Sequence, residues 1–219
     1  MRIFFIPGLG EEISIFDKIL PFIDGEKVFI DNWTLLTEVA EEDLTVMVYA
    51  SYLIKKFSIT VSDVVIGHSL GGWVALHIKH LANCPIVQIA SWTDMKKVSI
   101  PVNRHLLYWS ARRGIGLNNF VLNILVLLKY RHARSRDIFI TIFKRLMTGD
   151  KTTLVKQLKV IYNPLKEHVA VIPNLRIHSK TDHIVGPPDE AFEKVPGDHF
   201  TLYTHPETVY PLIQKFLNE

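Results

Sequence analysis

Val64-Val65-Ile66-Gly67-His68-Ser69-Leu70-Gly71-Gly72 runs from three β-branched apolar residues into a serine flanked by glycines. A short, continuous apolar run of this kind suits a strand buried on both faces. Beyond Gly72 the apolar residues Val74, Leu76, Ile78 and Leu81 mark a helix, which Asn83-Cys84-Pro85 brings to an end. Ser69 therefore lies on a sharp strand-to-helix turn of the form G-x-S-x-G. Such a turn forces strained backbone angles on the serine and crowds the positions two residues to either side, so only hydrogen fits at 67 and 71. The hydroxyl is lifted clear of the sheet. The Leu70 N–H is left at a helix N-terminus, where unpaired donors and the helix dipole favour negative charge. The bare pattern also fits an ordinary glycine-rich turn, but the strand before it and the helix after it favour a nucleophile.

Outward from this turn, short apolar runs alternate with longer helical patterns, the signature of crossover units on a parallel sheet. Ile3 to Ile6, Val28 to Ile30, Ile86 to Ile89 and Leu175 to His178 read as further strands, with a short one near Val195. The spacing predicts helices over 46–57 and through Tyr210, Ile213 and Phe216 near the end of the chain. The 219 residues fit one domain, 1–219, and no internal repeat or low-complexity segment interrupts it. Cys84 is the single cysteine, so no intrachain disulfide framework is possible. The first residues lead straight into a strand and lack a leader-like apolar core and cleavage site, which makes the cytoplasm the expected compartment.

The first strand ends in Pro7-Gly8-Leu9-Gly10. Acyl transfer passes through a tetrahedral oxyanion, and a glycine-rich loop beside the serine turn can aim a second backbone N–H at it, that of Leu9. Read alone, the loop is equally a strand-ending turn.

Together, Gly67-His68-Ser69-Leu70-Gly71-Gly72 and Pro7-Gly8-Leu9-Gly10 resemble the nucleophile elbow and oxyanion loop of the α/β-hydrolase superfamily. The family often has His-Gly where this chain has Pro7-Gly8. Its first two strands have no counterpart here, which implies a compact form. The resemblance implies an α/β fold, with a mostly parallel sheet flanked by helices and an inserted helical cap. It also implies the order serine, acid, histidine. Ser179-Lys180-Thr181-Asp182, just beyond strand 175–178, resembles the acid loop, with Asp94 and Asp189 as rivals. Gly197-Asp198-His199-Phe200 lies where the family places its histidine, with His205 as a distant second. The implied roles are Ser69 as nucleophile, His199 as general base and Asp182 orienting it, with the Leu9 and Leu70 N–H groups binding the oxyanion.

From about Lys96 the pattern changes to helices without intervening strands, and 96–168 reads as the cap. It carries fifteen of the 25 Lys and Arg residues but only three of the 22 Asp and Glu, so an acidic body bears a basic insert despite a net charge of only +3. These charges are expected on solvated helix faces, with weak contact to a membrane surface or an anionic substrate as the alternative. The apolar run 120–128 is too short to span a bilayer, which needs about 20 residues. No recognised nucleic-acid module accompanies the charge. His77 and His80 lack a third ligand, so no metal site is expected there, and the implied acyl-enzyme chemistry requires no cofactor. The expected activity is hydrolysis of a small carboxylic ester, or of a thioester or amide, through an acyl-enzyme. A ligand receptor or silent scaffold, or acyl-transfer or lyase chemistry at the same residues, is the alternative.

Overall fold

The computed structural model describes residues 1–98, 103–131, 133–165 and 169–219. Six parallel strands form one sheet: β1 (Arg2–Ile6), β2 (Glu26–Phe29), β3 (Val64–His68), β4 (Ile86–Ile89), β5 (Leu175–His178) and β6 (Glu193–Lys194), in the order β2-β1-β3-β4-β5-β6. The central strands β1, β3 and β4 are buried almost throughout, as their continuous apolar runs require. Their pleat divides two cores: Phe4, Ile6 and Val65 face one layer of helices, while Ile3, Phe5, Val64 and Ile66 face the other.

The edge strand β2 differs from the sequence expectation, whereas the short strand expected near Val195 forms as β6. β2 begins at Glu26, two residues before the apolar run, and Phe29 is 42% exposed. β6 is reduced to Glu193–Lys194, just before Val195. An edge strand has a neighbour on one side only, so ladder bonding rather than burial sets its length and polar residues are tolerated.

In the first half, α1 (Asn32–Leu35) and α2 (Val46–Phe57) connect β2 to β3, and α3 (Leu70–Ala82) connects β3 to β4. The predicted helix over 46–57 forms, capped by the Thr45 side chain. α3 ends where Asn83 turns left-handed and its N–H bonds back to Lys79. Between β4 and β5 lie α4 (Arg104–Arg112), α5 (Asn119–Leu125), a π-helical turn (Val126–Tyr130), α6 (Arg136–Thr148) and α7 (Lys151–Tyr162). The C-terminal boundary expected for this insert, at 166–168, lies outside the described residues. α8 (Thr201–Thr204) and α9 (Pro206–Leu217) close the chain. No helix among the described residues is long and apolar enough to cross a membrane.

Candidate active site

The site is built where the C-terminal ends of β1 and β3 meet. Register pairs Ile6 with Gly67, so the loop after β1 and the turn after β3 begin side by side. Ser69 is left-handed at φ 51°, ψ −117°, immediately before α3. The two glycines act as the sequence implied. A Cβ on Gly67 would overlap the Gly71 carbonyl, and one on Gly71 would overlap the Ile6 carbonyl. Gly72 brings α3 against the β4 end, where a side chain would strike Ser91. Ser91 in turn donates its hydroxyl to the Ser69 carbonyl at 2.7 Å, while the Ser69 N–H bonds to Ile89. The strained serine is thus fixed from both of its peptide groups. Its side chain caps no helix N–H, and among the described residues no hydrogen bond reaches its hydroxyl. Resting geometries of this kind often tighten only when substrate binds.

The acid and histidine loops meet next to His68, the residue before Ser69. His199 Nδ1 lies 2.8 Å from Asp182 Oδ2, and both side chains are buried. The other carboxylate oxygen, Oδ1, accepts the Ile184 and Val185 N–H groups at 2.8 and 2.9 Å, which fixes the acid by its own loop. Ser179 and Thr181 both donate to the Gly197 carbonyl, clamping the acid loop to the histidine loop. Gly197 holds φ at 87°, with His205 so close that a Cβ would collide with it; a side chain there would displace the turn leading to His199.

Electrostatics divides the pair. Burial works against the His199 cation, but the charge and hydrogen bond of Asp182, with Glu11 and Asp198 further off, outweigh it and hold the imidazole above its ordinary range. Burial likewise favours a neutral Asp182, yet His199 and the two backbone donors hold the carboxyl below the usual carboxylate range. Asp182 is therefore an acceptor. Nδ1 carries the hydrogen, leaving His199 Nε2 to take up another.

Four residues that sequence reading did not assign complete the setting. His68, beside Ser69, places Nε2 2.9 Å from the His199 carbonyl and Nδ1 2.8 Å from Glu11 Oε2. A carbonyl only accepts, so His68 Nε2 is protonated, and one further hydrogen lies between Nδ1 and the Glu11 carboxyl. Glu11 also accepts the Gly8 N–H at 2.5 Å. Asn32 donates to the Pro7 carbonyl, and Gln157 on α7 accepts the Gly10 N–H. The N–H groups on both sides of Leu9 are consequently committed. Among the described residues, those of Leu9 and Leu70 donate to nothing. Glu11 stands three residues after Gly8 and His68 within the serine turn, so both were in view in the sequence. Nothing in the sequence paired them across 57 positions.

The rival residues lie elsewhere. Asp94 is exposed and bonds to the Lys96 N–H, Asp189 pairs with Lys97 on the surface, and His205 precedes α9, with Thr204 and Arg134 on its two ring nitrogens. His77 is fully buried with Nδ1 on the Trp73 carbonyl, whereas His80 is exposed. A large groove of about 840 Å³ lined by Met47, Val48, His80, Arg104 and Leu165 contains none of the residues of this site. Nearer to it, α6 presses Leu146 onto Gly10, which has no side chain to obstruct the contact.

This architecture is the α/β-hydrolase fold. Solved structures that share it include a hydrolase from Oleispira antarctica, with a TM-score of 0.74 at 15% identity, covering 100% of this chain and 91% of that one. An esterase from Thermogutta terrifontis gives 0.73 at 15% identity, covering 100% and 89%. An enol-lactonase from Burkholderia xenovorans gives 0.76 at 12% identity, covering 100% and 91%. No protein-family model matches the sequence, and no curated protein sequence matches it.

Proposed function

We propose that this chain is a serine hydrolase that cleaves a small-molecule carboxylic ester, with thioesters and amides as the related substrates. The observation that carries the reading is the strained Ser69 at the head of α3, with the buried His199–Asp182 pair held beside it through His68. Strain of this kind persists only where surrounding structure enforces it, and it presents a hydroxyl with no structural duty. Neighbours of the same fold are described as an esterase and an enol-lactonase, which fits carbonyl–oxygen chemistry.

In this mechanism Ser69 Oγ attacks the ester carbonyl while His199 Nε2 takes its proton. Asp182 stabilises the imidazolium that forms. The Leu9 and Leu70 N–H groups receive the oxyanion. Collapse of the tetrahedral intermediate expels the alcohol, which leaves with the proton from His199, and Ser69 remains acylated. Water, deprotonated by the same imidazole, then releases the acid and restores the serine. The insert between β4 and β5, as a cap over the loop at Gly10, would shape the acyl pocket.

Steady-state hydrolysis of p-nitrophenyl esters of graded acyl length tests the reading. Ser69→Ala should reduce kcat by about 10³-fold or more, since a working nucleophile accounts for several orders of magnitude. Turnover within about tenfold of wild type in that variant would overturn it.

A further inference from the structure

Phe120 and Leu128 are each 74% exposed, Leu127 is 58% exposed and Ile124 39%. They occupy positions i, i+4, i+7 and i+8 of the continuous helical run 119–130, so they share one side of it. The opposite side is already satisfied. Leu122 and Val126 pack with Phe143 of α6, and Tyr130 stacks on Phe139 at 4.0 Å. A helix that buries one apolar face and leaves a second apolar face in water calls for another apolar environment.

The charge along the same stretch of chain indicates which one. Between Asp94 and Asp137 the sequence holds nine Lys and Arg and no Asp or Glu. Lys129 and Arg131 follow directly on Leu128, are exposed, and make no ion pair among the described residues. A second copy of the chain would bring this basic rim against its own like. An anionic surface would attract it. The run is about 18 Å long at 1.5 Å per residue, a length that lies along an interface rather than crossing a bilayer.

We propose that this face docks on an anionic lipid bilayer, with Phe120, Leu127 and Leu128 entering the boundary between headgroups and acyl chains while Lys129 and Arg131 meet lipid phosphates. The proposal does not depend on the catalytic reading.

Co-sedimentation of the full chain with vesicles of phosphatidylcholine alone, and of phosphatidylcholine mixed with phosphatidylglycerol, tests it. Binding is expected only to the mixed vesicles and should weaken as salt is raised. Replacing Phe120, Leu127 and Leu128 together by Ser should weaken it about tenfold or more without lowering the melting temperature. Lys129→Gln with Arg131→Gln should weaken it about tenfold as well, and decides the matter alone should the serine variant fail to fold. Absence of binding to mixed vesicles, or binding unchanged in the charge variant, would overturn the proposal. So would a wild-type dimer in sedimentation velocity that the serine variant dissolves, which would assign the face to contact between copies.

Discussion

At the scale of single residues, the proposed chemistry turns on where His199 holds its proton. Burial disfavours the imidazolium, but Asp182 wins, so the group titrates above the ordinary histidine value of about 6.5. A general base works only when neutral. The account therefore predicts that kcat/KM rises with pH through an inflection above about 6.5 and flattens beyond it. Asp182→Asn should cut kcat by roughly 10⁴-fold and move that inflection downward, because it removes the charge that raises it. An inflection in the variant at or above the wild-type position would contradict this assignment; pH–rate profiles of the two proteins provide the check. Ser69, Asp182 and His199 could be singled out as candidates because each stands next to a local signal in chain order: the glycine pair at 67 and 71, the strand end at 178, and the short loop before α9. Glu11, Asn32 and Gln157 could not. Each serves the loop 7–10 by a single buried side-chain hydrogen bond, and for Asn32 and Gln157 the partner lies 25 and 147 positions away. Spacing along the chain does not encode such pairings.

Among the elements, α3 shows how the helix that follows Ser69 is itself secured. Its residues from Leu70 to Ile78 are buried without interruption, so His77 must be neutral to fit. Burial, opposed only by its bond to the Trp73 carbonyl, lowers its pKa to about 4. The unfolded chain binds that proton near pH 6.5 and the folded chain does not. The contribution of His77 to stability is thus fully present above about 6.5 and is lost as pH falls toward 4, amounting to about 3 kcal/mol at most. His77→Leu should flatten the fall in stability over that window in urea unfolding at a series of pH values, and an unaltered slope would show that other groups govern it. The strands were readable because β1, β3 and β4 each contain a short, buried run that is mostly apolar, with polar residues only at Arg2, His68 and Gln88. The edges were misjudged by two residues at β2, since Glu26 and Lys27 join the ladder without being buried. The apolar run 120–128 was visible too, but not that the chain from Val126 to Tyr130 widens into a π turn where both of these residues pack against α6.

For the whole molecule, the question is how a basic, helical insert stays joined to an acidic body. Lys156 on α7 is nearly buried and donates to the Leu36 and Val39 carbonyls at 2.8 and 2.6 Å, while Lys159 and Arg112 both pair with Glu41. The charge imbalance in the sequence was evident, yet its use as a fastening was not, because a lysine reads as surface until its carbonyl partners are known. Lys156→Met keeps the stem but strips the Val39 carbonyl of its lysine donor and leaves that of Leu36 only the long bond from the Val39 N–H, which should cost roughly 1–3 kcal/mol in denaturant unfolding and speed amide exchange in α7. Stability unchanged within about 0.5 kcal/mol would show that the fastening lies elsewhere. The proposed function requires Ser69 to be an activated nucleophile. Intact-mass analysis after treatment with a fluorophosphonate probe tests it most directly, on wild type and on Ser69→Ala. A single adduct is expected on the wild-type chain, mapping to Ser69 and absent from the variant. A folded wild-type protein that takes up no probe, or a variant that is labelled equally, would contradict it.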